Sequence, residues 1–369
     1  MKNKLKPYLN SLFDKFLLIS VLLSALFGIV AIYSATYSFG TNSNVIIQSC
    51  AFGLGFVLLI ILTFFDFEQY EILIKPIAII SVFLLILVKI IGTSGNWGAQ
   101  SWIRLGPVGI QPSEIAKIGF IITFSYHLSK VNDKINDLKT LLLLLLHLFV
   151  PAFLIMLQPD MGSTMVFIFI FAVLIFTAGL SWKYILISLL TGVVSLPIIY
   201  TFFLSEYQKH RILVFFNPEL DKLGSGYNVI QSKIAVGSGG FFGKGFLNGT
   251  QNQLGFLPTK HTDFIFSVIS EEFGFLGAFI VVMLLCCIII RCIKIAKHSD
   301  SLFGRYICLG VSAMLIFHTV ENIGMCIGLT PVTGIPLPFF SYGGTSLITN
   351  LIAIGLVMSV YHHGIKKKF

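Results

Sequence analysis

The 369-residue sequence predicts an all-α integral membrane protein, a polytopic bundle of about ten transmembrane helices with a large external loop between helices 7 and 8. Three observations carry this expectation. Hydrophobic residues make up 56% of the chain and charged residues 11%, a balance that water-soluble domains do not show. Apolar runs of about 20 residues, long enough to cross roughly 30 Å of hydrocarbon as helix, recur from one end to the other. Most lysine and arginine residues lie in the connections between these runs and at the termini, where topology signals belong. The net charge of +9 is therefore a property of the loops, and the lipid bilayer, not nucleic acid, is the expected partner.

The first apolar run, 16–36, follows Lys2, Lys4, Lys6 and Lys15. It is longer than the core of a secretory signal and many more runs follow, so it reads as a retained span. Further spans are expected at 46–65, 74–92, 113–129, 140–157, 163–180, 183–203, 264–290, 303–328 and 342–361. The N-terminus, the 130–139 and 291–305 connections and the Lys366–Lys368 tail carry the cations and fall on one side. The connections 37–45, 158–162 and 329–341 carry none, which places them outside the cell and both termini in the cytoplasm. Two external segments are longer than connectors. Segment 93–112, with Trp97 and Trp102, reads as a re-entrant or interfacial loop, and 205–262 alternates apolar clusters with glycine-rich turns and should pack on the bundle. The whole chain, 1–369, reads as one membrane domain. Its six cysteines form no CxxC pair and lie mostly in apolar runs, as packing residues do.

Polar groups within such a chain are expensive, and three clusters stand out. In KHTDFIFSVISEEFGFLGAF, helical spacing puts Asp263, Ser267, Ser270, Glu271 and Gly274 on one face, opposite Phe264, Ile265, Val268 and Phe275. Asp263 stands at the external end of that helix, with Thr262 as a possible cap; Glu271 and Glu272 are read equally as paired structural groups or as site groups. The second cluster is Gln111, Pro112, Ser113, Glu114 and Lys117, where Glu114 and Lys117 have the spacing of an intrahelical ion pair. The third, HTVENIGMCIGLTPVTGIPLPFFSYGGTS, holds too much proline and glycine for regular helix, so its backbone must be satisfied by neighbouring protein or a polar cavity, with Ser341 and Tyr342 as lining groups. His318 and Glu321 read as hydrogen-bonding groups within the membrane.

The stretches WIRLGPVGIQPSEIAK, GSGYNVIQSKIAVGSGG with GKGFLNGTQNQLGFLPTKHTDFIF, and NIGMCIGLTPVTGIPLPFFSYGGTS resemble the shape, elongation, division and sporulation (SEDS) family, and its rod-shape branch more closely than its division branch. The resemblance runs from the first helix to the last. It implies a ten-helix fold, location in the cytoplasmic (inner) membrane, and a peptidoglycan glycosyltransferase that polymerises lipid II on the outer face during elongation. It also implies that Asp263 is the essential acid and that Trp102, Glu114 and Lys117 occupy family positions. Gly109 departs from the pattern, since some members, notably in the division branch, carry a basic residue there.

The residues suit that chemistry. Joining a sugar hydroxyl to an anomeric carbon that carries a lipid diphosphate requires a base, for which Asp263 is the candidate, and single displacement from the opposite face inverts the centre. The departing diphosphate requires cationic compensation from Arg104, Lys117, Arg211 or Lys233, or from magnesium or manganese held weakly by Asp263 and substrate phosphates. Gln231, Thr262 and Ser341 complete the expected substrate contacts. The partners implied are a class B penicillin-binding protein as transpeptidase and other rod-complex membrane proteins. Two other readings are a flippase for lipid-linked precursors, with Asp263, Glu271 and Lys117 along its path, and a scaffold that recruits enzymes.

Overall fold

The computed structural model describes residues 13–93, 101–105, 108–204, 206–221 and 224–364. Helices α1 (Lys15–Thr36), α2 (Ser43–Phe64) and α3 (Tyr70–Ile91) precede a two-stranded antiparallel hairpin, β1 (Ile103–Leu105) and β2 (Val108–Ile110). Then follow α4 (Pro112–Val131), α5 (Leu138–Met156), α6 (Met161–Thr177) and α7 (Trp182–Ile198). The long connection contains α8 (Glu206–Phe216), α9 (Ser225–Ser238) and α10 (Thr250–Gln253), and the chain closes with α11 (Ile265–His298), α12 (Leu302–Ile327) and α13 (Gly344–His363). Among the described residues seven helices, α1, α2, α3, α5, α11, α12 and α13, are long and apolar enough to cross a membrane; α6 and the first part of α7 are shorter apolar helices. Helix α4 is less apolar for a visible reason. Protein encloses it on almost every side, so Ser113, Glu114 and Lys117 never face lipid.

The boundaries show where lipid changes the rules. Helix α3 begins before the expected position and runs through Pro76, because neighbouring helices can re-satisfy a carbonyl that proline frees. Helix α11 continues to His298, well past the expected end, since Lys294, Lys297 and His298 can snorkel from its last turns. The connection 205–262 forms helices that pack on the bundle, α9 lying against α11 and α12. Part of the expected interfacial loop is the β hairpin, while Trp97 lies outside the described residues.

Two expectations for the Asp263 region need correction. Helix α11 starts at Ile265, so Asp263 belongs to the preceding turn and not to a helix face; the N-cap is Phe264, and the Thr262 hydroxyl bonds back to the Thr259 carbonyl (3.1 Å) instead of capping. Helix α11 also breaks at Gly274, whose φ of 66° and ψ of −158° are open to glycine alone. A side chain there would strike Gly243 and Phe241, so the missing Cβ is what lets the 240–243 turn dock on the helix.

Helix ends and loops from distant parts of the chain meet at the end of the bundle that carries Asp263. Gly28 lets α1 pass against the backbone of Phe339 and Phe340, and Gln48 of α2 donates to the Ser341 carbonyl (3.1 Å) and accepts from the Gly343 amide (3.1 Å). These contacts hold the irregular 329–343 segment in the middle of that face.

Candidate functional site

Asp263 is held by its backbone. The Thr259 carbonyl accepts from the amides of Thr262 and Asp263 (3.1 Å each), closing the turn, and Phe264, almost fully buried, fixes its far side. The Asp263 carbonyl accepts from Asn322 Nδ2 of α12 (2.8 Å). The residue as a whole is half-buried, and its carboxyl faces Gly334, where a Cβ would stand 3.8 Å from Oδ2. Burial pushes the carboxyl up to about 6; the Arg211 charge and a Thr262 hydrogen bond pull the other way without cancelling it.

Arg211 of α8 donates through Nη1 to the Val332 carbonyl (2.9 Å), which brings its guanidinium to the same face as Asp263. Lys233 of α9 is exposed and its side chain lies over Gly328, at the end of α12. Gln231, partly exposed, is on the same helix, which Ser232 pins in place through Ser267 (2.6 Å) and the Cys326 carbonyl (2.7 Å). Arg104 stands exposed on the hairpin, across from Gly109 in the register. At Gly109 a Cβ would come within 2.9 Å of the Trp102 ring, so the glycine that departs from the family pattern is the floor on which Trp102 lies. The hairpin is tied to the rest through Thr345, which donates to the Gly109 carbonyl (3.0 Å), and through Gln111, which donates to Asp160 (3.4 Å).

Two expected contacts, Lys117 and Ser341, are internal, and the pair Glu271 and Glu272 takes the structural one of its two readings. Lys117 is 1% exposed; its ammonium is 2.7 Å from Glu114 Oε1 and 3.0 Å from His318 Nε2, so it does not open onto the face that Arg104 occupies. Ser341 is buried, and its hydroxyl accepts from the Leu337 amide (2.8 Å), closing a turn instead of lining a cavity. Glu271 and Glu272 are both fully enclosed. Glu271 accepts from Lys244 (2.8 Å) and the Gln251 and Asn252 amides (2.9 and 3.1 Å), and Glu272 accepts from Ser34 (2.6 Å) and Asn252 (2.9 Å). The acids at the start of α11 therefore fasten the 244–253 loop to α11 and α1.

Sequence reasoning passed over Asp160 and Asn322. Asp160 caps α6, accepting from the Ser163 amide (2.9 Å) and hydroxyl (2.8 Å), and α6 meets the site where Gly162 lies close to Thr333 and Ile335. Its signal was the cap spacing Asp160-x-x-Ser163. For Asn322 the signal was its place one helical turn after His318. Beside Asp263, Lys260 is buried and donates to Ser38 (2.9 Å), and His261 sits between Phe39 and Tyr342 at 5.6 and 5.4 Å between ring centroids. Burial lowers the pKa of both, with Glu272 and Glu271 opposing the fall at Lys260 and the Lys260 charge adding to it at His261.

Residues 14–366 match the model of a family of cell cycle proteins that includes FtsW, RodA and SpoVE. The chain is 39% identical over 310 residues to the peptidoglycan glycosyltransferase MrdB of Escherichia coli K12, covering 84% of this chain and 83% of that one. It is 34% identical to the peptidoglycan glycosyltransferase RodA of Treponema pallidum, covering 94% and 97%. Among solved structures, a chain from a peptidoglycan synthase complex that coordinates polymerization and crosslinking superimposes with a TM-score of 0.83 at 34% identity, covering 96% of this chain and 99% of that chain. The crystal structure of the Thermus thermophilus rod shape determining protein RodA gives a TM-score of 0.72 at 30% identity, covering 96% and 98%.

Proposed function

The chain belongs to the FtsW/RodA/SpoVE family of cell cycle proteins, and from that membership we infer that it is a peptidoglycan glycosyltransferase of the rod-shape branch. Its substrate is proposed to be lipid II and its base Asp263. The observation that carries the assignment of the base is the carboxyl of a half-buried residue on a backbone-fixed turn, under the charge of Arg211 and facing Gly334. With a pKa of about 6 it is ionised at neutral pH yet basic enough to accept a proton from the attacking sugar hydroxyl as that oxygen closes on the anomeric carbon. The sugar–diphosphate bond breaks on the opposite face and the configuration inverts. Arg211, Lys233 and Arg104 supply positive charge for the departing diphosphate. Lys117 and Glu114 act from inside the protein and Ser341 through the turn it closes, while Trp102, Gln231 and Thr262 remain proposed substrate contacts. Asp263 is a single carboxylate, so magnesium or manganese bound there would take its other oxygens from substrate phosphates and water, adding charge compensation.

The cation-rich stretches 130–139 and 291–305, which include the last turns of α4 and α11, lie at the opposite end of the bundle from Asp263. By the positive-inside rule this supports cytoplasmic termini and a site on the outer face of the inner membrane. A class B penicillin-binding protein is the proposed transpeptidase partner, with other rod-complex membrane proteins beside it; the relative seen in a complex of polymerization and crosslinking supports this. The flippase reading is not favoured, because Glu271 and Glu272 are consumed in loop contacts and Lys117 is paired.

The test is to supply the purified protein in detergent with lipid II and a divalent cation. Glycan polymer from the wild type and none from Asp263→Ala is the expected result. Lipid II translocation across vesicles without polymer would overturn the assignment.

A further inference from the structure

The Pro331–Pro338 segment cannot hold itself in place. Pro331, Pro336 and Pro338 bring no amide hydrogens, and the carbonyls of Val332, Ile335 and Pro336 are taken by side chains: Arg211, Asn322 and His318. Two of those three side chains stand on α12 one turn apart and on one face. We propose that His318 and Asn322 are positioning residues that set Asp263 against the Thr333–Ile335 backbone, and that the buried Lys117–Glu114 pair exists to lock His318 in the state that does this. The inference rests on the glycosyltransferase reading above.

The proton inventory fixes the directions. Asn322, fully buried, points Nδ2 at two carbonyls, Asp263 (2.8 Å) and Ile335 (2.8 Å), so its two amide hydrogens bridge the base-carrying turn and the segment facing it. Lys117 has only donors, and Nζ lies 3.0 Å from His318 Nε2, so that nitrogen must accept and the ring proton sits on Nδ1. Nδ1–H then donates to the Pro336 carbonyl (3.3 Å), next to the carbonyl that Asn322 holds. Glu114 compensates the ammonium at 2.7 Å, and Thr349 of α13 reaches the other carboxylate oxygen at 3.5 Å. From Lys117 of α4 through His318 of α12, the donors run in one direction, ending on the Pro336 carbonyl of the segment opposite Asp263. Neither residue opens onto the substrate face, so both act through Asp263 and Gly334.

Releasing the clamp should misplace the base without altering the groups that grip the lipid-linked sugars. A shift of about 1 Å in a reacting group costs on the order of 100-fold in rate. Initial rates over a range of lipid II concentrations are to be compared for the full-length wild type, Asn322→Asp, His318→Leu and His318→Gln. Asn322→Asp puts acceptors in place of both donors, and kcat should fall by roughly that factor with KM unchanged within about threefold. His318→Leu should behave likewise, whereas His318→Gln, which can accept from Lys117 and donate to Pro336, should recover much of the loss. If Asn322→Asp does not elute as a monodisperse species, Asn322→Ser, which keeps one donor, carries the same expectation at smaller size. Variants with wild-type kcat, a rise in KM alone, or a His318→Gln no better than His318→Leu would overturn the proposal. A wild type that makes no polymer would instead count against the assigned activity.

Discussion

At Asp263 burial and charge pull in opposite directions, and the outcome fixes the pH behaviour of both rate and stability. A base must be ionised to act, so the polymerisation rate should climb with pH through about 6 and level off above it. Initial rates between acid and neutral pH check this; a profile flat across that range would exclude Asp263 as the titrating base. For stability the sign reverses. The folded-state pKa lies above the usual aspartate value of 3.8, so the contribution of this group is favourable below that value and is lost as pH rises through about 6. Asp263→Asn, which removes a charge that resists burial, should melt at the same temperature as the wild type or higher at neutral pH, and a lower melting temperature would show that the carboxylate is stabilising. Asp263 could be picked out in the sequence because an acid at a helix start in so apolar a chain is costly. The work of Asn322 and Ser341 could not, since their partners are backbone carbonyls and amides whose positions depend on the fold.

Among the elements, α11 is the one whose sequence reads most deceptively. Its polar face suggested a lined groove, and the structure spends those acids on holding a loop: Glu271 alone receives Lys244 and two backbone amides. Glu271→Ala would leave those donors without their charged partner, a loss of roughly 3–5 kcal/mol in a buried setting. Thermal unfolding in detergent should show a large drop, whereas wild-type stability would contradict the role assigned to the carboxylate. Gly274→Ala should be as damaging for a different reason, because the residue needs a left-handed φ and its Cβ would collide with the backbone of the 241–243 turn. The long helices were readable from apolar run length, whereas α8, α9 and α10, inside a connection read only as apolar clusters and glycine-rich turns, were not. Nor were the ends of α3 and α11, since proline is tolerated where neighbouring helices satisfy the backbone, and lysines, good helix formers, carry α11 on past its apolar run.

For the whole molecule, the two ends of the bundle differ. The short connections at the 130–139 and 291–305 end carry lysine and arginine, whereas 37–45, 158–162 and 329–341 at the other end carry none, and there the hairpin, the 259–264 turn and the proline-rich 329–343 segment meet. That segregation was legible from lysine and arginine positions alone, and it predicts orientation: Thr41→Cys should react with an impermeant thiol reagent on intact cells, and Lys134→Cys only after permeabilisation. The reverse pattern would place the site in the cytoplasm. The convergence of the three segments was not legible, because it is made by contacts between helices far apart in sequence, α4 with α12 and α2 with α13. The proposed catalysis depends on one group reacting at that convergence, and the most direct test is the initial rate of lipid II polymerisation by Asp263→Asn, which keeps shape and removes basicity. A loss of at least about 100-fold, the scale of general-base catalysis, with the protein still folded, is the predicted result, and a rate within about threefold of wild type would contradict it.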